Sequence, residues 1–483
     1  MTAPTLPQEN GLLARIAARF TTLAERWVPD AYVFALIATA VVFAAALVSG
    51  GGRHGLGDVV DAWGTGFWDL LPFTMQMAMV IITGYVLATA APLKRLIVRV
   101  ASLPRGPRSA VAMVTLFAMA SSWINWGFSL VFGAILAREV ARRVPRVDYR
   151  ALAASSLLGL GSVWAQGLSG SAALQMATPS ALPPAVRAIV DHGGAVPGGV
   201  LPFSETIFLW QSLVSVAVEL AIVPLVMAFA TPTGEKIRTA ADLGITLPSD
   251  ADEVESDDLV LGPAARLERS RWVLLPVVLL GVVYLYRFFA RTGQGLSALN
   301  LNIVNFTFLL AGMALHGTPH RLMRAVKEAT PAVWGVLLQF PFYAGIAAVV
   351  TKTHLSATIA GFFVALSSKT TFPALIAVYS AVLGVFVPSG GSKWIIEAPY
   401  VMEAAHSLKV HLGWMVAVYD LGEALANLLQ PFWMLPVLGL FGLKARDVMG
   451  YTLLVFLVLF PVVLVMVTVL GATLPYPTVA APH

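Results

Sequence analysis

This sequence contains no cysteine. That excludes disulfides, thiolate metal centres and cysteine nucleophiles. Charge is scarce as well: Asp, Glu, Lys and Arg supply 12% of the 483 residues while 58% are hydrophobic, a balance foreign to soluble globular chains. A phosphate loop of the form G-x-x-x-x-G-K-[ST] is missing, so direct use of ATP is not expected. The nearest approach to a serine-hydrolase elbow, Gly167-Leu168-Ser169-Gly170-Ser171, has Ser where the last Gly belongs. The eight histidines lie mostly in loops without metal-ligand spacing. An intramembrane enzyme using Ser169 or Ser392 would need a base beside it, and no histidine lies in either segment.

What is abundant is apolar sequence. Runs long enough to cross about 30 Å of hydrocarbon recur from Ala31 to Leu470, which makes the chain an all-α polytopic membrane protein. The net charge of +5 sits mainly in short loops, where it reads as orientation in the bilayer rather than nucleic-acid binding. Residues 1–29 form an N-terminal segment in which Gly11 to Trp27 sets apolar residues against Arg15, Arg19 and Arg26, the pattern of an amphipathic surface helix.

The first span is Ala31 to Val48 and the second Leu71 to Ala91, preceded by an interfacial belt of Trp63, Phe67 and Trp68. Lys94, Arg95, Arg99, Arg105 and Arg108 then mark a cytoplasmic loop, with Leu93 to Val100 along the surface. Ser109 to Ala137 is broken at Asn125-Trp126-Gly127-Phe128 and leads to a second basic cluster, Arg138, Arg142, Arg143, Arg146 and Arg150. A single crossing would put the two clusters on opposite sides, so the segment is expected to be a re-entrant hairpin. Ala151 to Pro179 crosses with a break at Gln166 to Ser171, and Ser204 to Ala230 returns.

The polar, acid-rich stretch 231–270 is a cytoplasmic linker, and 271–292 carries a linking transmembrane helix, Trp272 to Ala290. Leu299 to Leu315, Pro331 to Val350, a surface helix at Ser356 to Leu366, a second hairpin, Trp414 to Pro436 and Val448 to Leu470 follow. The expectation is about nine crossings plus two hairpins, with the N-terminus cytoplasmic.

The second hairpin turns at Val387-Pro388-Ser389-Gly390-Gly391-Ser392. Pro388 lacks a backbone donor and the two glycines favour open backbone, so an arriving helix stops and a new one starts at Ser392. Broken helices at membrane depth survive only where protein or a cavity satisfies the freed N–H and C=O groups. Landmarks in the two halves share one offset of 263: Gln76 with Gln339, Gly127 with Gly390, Ser129 with Ser392, and Gly159 with Gly422. The extra crossing at 271–292 turns the second copy upside down. Residues 30–230 and 293–471 are therefore read as inverted repeats and 472–483 as a tail, the architecture of secondary transporters with two re-entrant hairpins and two broken transmembrane helices.

The four breaks should converge. They bring Asn125, Gly127 and Ser129, then Ser169 and Ser171, then Ser389, Gly390, Gly391 and Ser392, then Asn427 and Gln430, which become the candidate substrate-binding residues. Few polar groups there are charged, so a small substrate held by hydroxyls, amides and helix starts is expected. Each Ser or Asn could equally serve helix-helix hydrogen bonding. Glu423, one turn from Asn427, is the candidate for the coupling proton or cation, and Na+ near Asn125 and Ser389 is the other option. Lys393 and Glu397, at i and i+4, either neutralise one another or leave Lys393 to hold a carboxylate.

Several motifs run through the chain in order: Trp27-Val28-Pro29-Asp30, Gly66-Phe67-Trp68, Met75-Gln76-Met77-Ala78, Ile124-Asn125-Trp126-Gly127-Phe128, Gln339-Phe340-Pro341-Phe342-Tyr343-Ala344-Gly345-Ile346, Val387-Pro388-Ser389-Gly390-Gly391 and Gln430-Pro431-Phe432-Trp433. With them the chain resembles the bacterial short-chain fatty acid transporter family, the AtoE-like proteins, from about Arg15 to Leu470. The resemblance implies uptake of short-chain monocarboxylates such as acetoacetate or butyrate across the cytoplasmic membrane. It also implies membership of the ion-transporter superfamily, elevator movement and a homodimer. Another small di- or tricarboxylate is the alternative substrate, and an anion channel the alternative mechanism. No cofactor is expected beyond a coupling Na+ or H+.

Overall fold

The computed structural model describes residues 31–49, 55–232, 234, 237–247, 262–293, 295–353, 355–387, 390–430 and 433–476. The N-terminal amphipathic segment, the Gly50 to Gly52 turn, the acidic part of the linker, Pro388 and Ser389 lie outside the described residues. Among the described residues there are helices and turns and no strand.

The first half runs α1 (Ala31–Ser49), α2 (Leu56–Gly66), α3 (Leu71–Thr89), α4 (Ala91–Ala101), α5 (Pro107–Ile124), α6 (Trp126–Arg143), α7 (Tyr149–Leu157), α8 (Ser171–Ala177), α9 (Pro184–Asp191) and α10 (Trp210–Ala230). Prolines at the start of α3, α4 and α5 fix the first turn without losing a needed donor. Helix α4 buries Ile97, Val100 and Ala101 and turns its basic residues outward, which suits a helix lying at an interface. Asp148 caps α7 by accepting from the Ala151 N–H at 3.0 Å, and its other oxygen takes the Arg150 guanidinium at 2.9 Å and the Arg238 N–H at 3.1 Å. One buried carboxylate thus ties the linker to the first broken span.

After α11 (Pro263–Glu268) and α12 (Arg271–Thr292), the second half runs α13 (Leu301–His316), α14 (Pro319–Ala329), α15 (Trp334–Lys352), α16 (Leu355–Leu366), α17 (Phe372–Phe386), α18 (Gly390–Leu408), α19 (Leu412–Ala426), α20 (Leu435–Phe441) and α21 (Ala445–Gly471). Helix α12 buries only Gly281 and shows a nearly continuous apolar surface, which suits the linking span expected at 271–292.

The offset of 263 seen in single residues governs whole helices. Leu56–Gly66 maps onto Pro319–Ala329, and Leu71–Thr89 onto Trp334–Lys352, end for end. Packing is reciprocal too. Helix α1 lies on α15 as α13 lies on α3; α2 lies on α15 as α14 on α3; α6 lies on α3 as α18 on α15; α10 packs on α5 as α21 on α17. The axis elements α3 and α15 meet each other, as do α10 and α21. Such exchange of partners is what two copies related by a two-fold axis produce, and the inverted repeat is therefore carried by packing even though residue identity along the register is slight. The halves differ at residues 178–209, an insertion holding α9, where the second half passes from α20 to α21 through a left-handed Gly442.

Five helical stretches among the described residues are long and apolar enough to cross a membrane: Leu71–Thr89, Trp210–Ala230, Pro263–Thr292, Trp334–Lys352 and Ala445–Gly471. Of the four missing from the nine expected, two are the broken spans, split into α7 with α8 and α19 with α20, and two, Ala35–Ser49 and Leu301–His316, are apolar but shorter helices. The first break is also longer than Gln166 to Ser171, beginning at Leu158. Its glycines explain why: a Cβ on Gly159 would stand 2.5 Å from the Ala118 carbonyl oxygen, and one on Gly167 2.0 Å from that of Trp123. The backbone can leave the helix only by lying directly on α5.

Candidate functional site

The four breaks meet. At the first tip, Asn125 is extended (φ −157°, ψ 120°) and caps α6, its Oδ1 accepting from the Phe128 N–H at 2.8 Å. The Trp126 N–H donates to Ser169 Oγ of the first broken span at 2.9 Å. Two of the first three N–H groups of this helix start are therefore satisfied by the protein. Ser129, also buried, donates to the Ala118 carbonyl at 2.7 Å and so bridges the two limbs of its own hairpin.

The broken spans cross each other beside this tip. Asn427 Nδ2 donates to the Leu160 carbonyl at 3.1 Å and its Oδ1 accepts from Gln430 Nε2 at 2.7 Å. Gly161 permits the crossing, since a Cβ there would stand 2.2 Å from a Leu428 methyl. At the second tip, the Gly391 carbonyl accepts from Gln175 Nε2 of α8 at 2.8 Å, and Tyr419 Oη donates to the Gly390 carbonyl. A Cβ on Gly390 would meet Trp164 Cη2 at 2.8 Å, and one on Gly391 would meet Ser171 Cβ at 3.3 Å. Of the sequence-derived site residues, Asn125, Gly127, Ser129, Ser169, Ser171, Gly390, Gly391, Asn427 and Gln430 are all in or against this junction, while Ser389 and the side chain of Ser392 lie outside the described residues.

Behind the second tip sits a buried charge centre. Lys393 Nζ lies 2.8 Å from Glu423 Oε2 and 3.5 Å from Glu397 Oε1, with all three side chains essentially inaccessible. It also donates to the Ser380 carbonyl at 2.7 Å and Ser380 Oγ at 2.6 Å, and lies 4.6 Å from the centre of the Tyr419 ring. The ammonium is fully engaged by the protein, which decides the i, i+4 question in favour of neutralisation over a free carboxylate receptor. One ammonium faces two carboxylates, and taking each ion out of water costs several kcal/mol. The remaining negative charge calls for a proton or a cation. Among the described residues no group of three or more His, Asp or Glu side chains is arranged to hold a metal ion.

Two features escaped the sequence reading. Glu219 of α10 is buried and accepts from Gln166 Nε2 at 2.6 Å, while Ser215 Oγ donates to Gln166 Oε1 at 2.8 Å, which pins the first break to α10. Five buried donors in or beside the tips and the first break, Asn125 Nδ2 and the Nε1 atoms of Trp123, Trp126, Trp164 and Trp394, meet no acceptor among the described residues. An orphaned buried donor costs about 1–3 kcal/mol, so each marks a position that a further acceptor would complete. The Trp-rich tip motif was the only available signal for them.

Comparison with known proteins places the chain among transporters. The family described as "Short chain fatty acid transporter" matches residues 12–470. A protein of Escherichia coli (strain K12), provisionally named a short-chain fatty acid transporter, is 37% identical over 455 residues, covering 91% of this chain and 96% of that protein. One of Haemophilus influenzae with the same provisional name is 35% identical over 445 residues, covering 91% and 96%. Among solved structures, the YdaH transporter of Alcanivorax borkumensis, described as having an unusual topology, superposes with a TM-score of 0.60 at 17% identity over 92% of this chain and 99% of that one. MtrF of Neisseria gonorrhoeae, of a class of antimetabolite efflux pumps, superposes with a TM-score of 0.61 at 15% identity over 96% and 98%. At those identities the two structures speak for the fold alone.

Proposed function

The chain belongs to the short-chain fatty acid transporter family, and we propose that it carries short-chain monocarboxylates such as acetoacetate or butyrate across the cytoplasmic membrane by cation-coupled secondary transport. The observation that carries this reading is the meeting of four helix breaks beside a buried ammonium with two carboxylates. Breaks in opposed repeats bring helix starts together for a small anion, and the surplus carboxylate supplies a place for the coupling cation.

Several finer assignments belong to the same reading. The basic loops at Lys94 to Arg108 and Arg138 to Arg150 face the cytoplasm, so α5 and α6 form a re-entrant hairpin and the N-terminus is cytoplasmic. Residues 30–230 and 293–471 are the repeats and 271–292 the link between them. Helices α5 to α8 and α17 to α20 move together against α1 to α3 and α13 to α15 in an elevator cycle, within a homodimer, as the resemblance to the ion-transporter superfamily implies. Glu423 holds the coupling H+ or Na+: the ion screens it from Glu397, and substrate and ion favour the same state of the tips, which is all that coupling requires.

The test is uptake by purified protein in liposomes, comparing butyrate, acetoacetate and citrate under Na+ or pH gradients. Glu423→Gln is expected to abolish gradient-driven accumulation while leaving substrate exchange largely intact, because exchange does not require the empty carrier to return. Concentrative uptake at the parent level in Glu423→Gln would remove that residue from the coupling step.

A further inference from the structure

We infer that Trp126, Trp164 and Trp433 form the subsite that recognises the substrate and measures its chain length. This rests on the reading of the chain as a monocarboxylate transporter and adds which groups hold the two ends of the acid. Trp126 meets Trp164 edge-on, with ring centroids 6.4 Å apart, and meets Trp433 edge-on at 5.4 Å. The three rings come from the first tip, the first break and the second break, and the Trp164 rim abuts Gly390 of the second tip. The cluster is therefore an aromatic surface built by the first tip and both broken spans, with the second tip against its rim.

The indole N–H groups of Trp126 and Trp164 and the Asn125 amide are buried donors with no acceptor among the described residues, and Asn125, Trp126 and Trp164 are 1%, 7% and 6% exposed. A ligand that completes them brings acceptors and no donors. An ionised carboxylate is such a group. Lys393, the nearest buried cation to the second tip, is already engaged by Glu423, Glu397 and Ser380, so the subsite offers neutral donors only. That suits one carboxylate and disfavours a second or third, each of which would enter without a counter-charge. Beyond the carboxylate lie indole faces and edges, apolar and rigid, which accept a short alkyl or acyl tail and block a longer one. Gln430, by contrast, is spent on Asn427 and holds the crossing rather than the ligand.

The experiment is competition for labelled butyrate uptake in liposomes by straight-chain acids from acetate to octanoate, with succinate and citrate alongside. Trp126→Phe and Trp164→Phe keep the wall and remove the N–H; each is expected to weaken every monocarboxylate alike, by about tenfold. Trp164→Ala and Trp433→Leu open the wall; each is expected to move the preference toward hexanoate or octanoate, by about fourfold for each added methylene. Trp210→Phe, at an exposed ring outside the junction, serves as the control. If the Phe variants keep the parent's affinities and the opened variants keep its order of preference, the inference fails while the transport reading stands. A parent protein that takes up none of the monocarboxylates overturns both.

Discussion

Gly84 is the position on α3 at which a single methyl group should most disturb the first tip. It lies in α3, where that helix crosses the first tip, and a Cβ there would stand 2.4 Å from Asn125 Oδ1, 2.6 Å from the Phe128 nitrogen and 3.0 Å from the Gly127 carbonyl carbon. Two of these are backbone atoms of the capped turn, which cannot swing aside as a side chain can. Gly127 itself, the more conspicuous glycine in the sequence, is in a different situation. Its Cβ would find Asn125 Oδ1 at 3.4 Å and the Ile81 and Val80 carbonyls at 3.6 Å, ordinary contact distances. Gly→Ala inside a helix recovers roughly 0.5–1 kcal/mol of backbone entropy, whereas overpacking costs about 1–3 kcal/mol. Gly127→Ala should therefore be neutral or slightly stabilising. For Gly84→Ala the net cost to the docked tip is about 1–2 kcal/mol, or roughly five- to thirtyfold in its population. Purified variants would be compared by thermal unfolding in detergent and by butyrate uptake. Gly84→Ala should lose both stability and rate, and Gly127→Ala should keep both. The reverse ranking, or a silent Gly84→Ala, would refute the close docking of α3 on the tip.

Two further outcomes follow from the charge centre and the packing. Lys393→Met strands Glu423 and Glu397 without a counter-charge and is expected to cost about 3–5 kcal/mol, while adding Glu423→Gln should restore much of the folded yield seen by size-exclusion chromatography. A double variant no better than the single one would show that Lys393 acts through Ser380 instead. Arg105 and Arg146 are exposed at opposite ends of the first hairpin, and cysteines placed there, in a chain with none of its own, should react with an impermeant reagent from the same side of the membrane. Labelling from opposite sides would turn the hairpin into a plain crossing.

The sequence discloses the order of elements well and their partners poorly, for a physical reason. Helix ends obey local rules: the Pro at the start of α3 and α5, the Asn125 cap, and the offset of 263 that carries Leu71–Thr89 onto Trp334–Lys352 can all be read from neighbours in the chain. Hairpin tips and breaks were legible because glycine, proline and asparagine interrupt apolar runs. Contacts such as Gln175 with Gly391 or Asn427 with Leu160 join residues more than 200 apart, and no periodicity announces them. The same holds for Gly84, whose surroundings come wholly from the tip packed on it. Ser129 illustrates the converse: a hydroxyl beside a break looks like a ligand group in sequence, and its proton is given to Ala118 within its own hairpin.

The charge centre lies in one half only. Counting back 263 residues from Lys393, Glu397 and Glu423 reaches Leu130, Ala134 and Leu160, none of them ionisable. One ammonium and two ionised carboxylates leave a local charge of −1 at the centre, more negative still when the buried Asp420 of α19 is ionised, and in the elevator cycle proposed above that buried charge travels with the second tip through the membrane's electric field. Loading one monoanion and one monovalent cation adds nothing to the sum, so the laden and empty carriers do equal and opposite electrical work and the potential cancels from a one-to-one cycle. Voltage would instead set where the carrier rests. At about 2.3 kcal/mol per charge for a full drop of 100 mV, even a fraction of the field traversed biases a buried negative centre toward the outer face of an energised membrane.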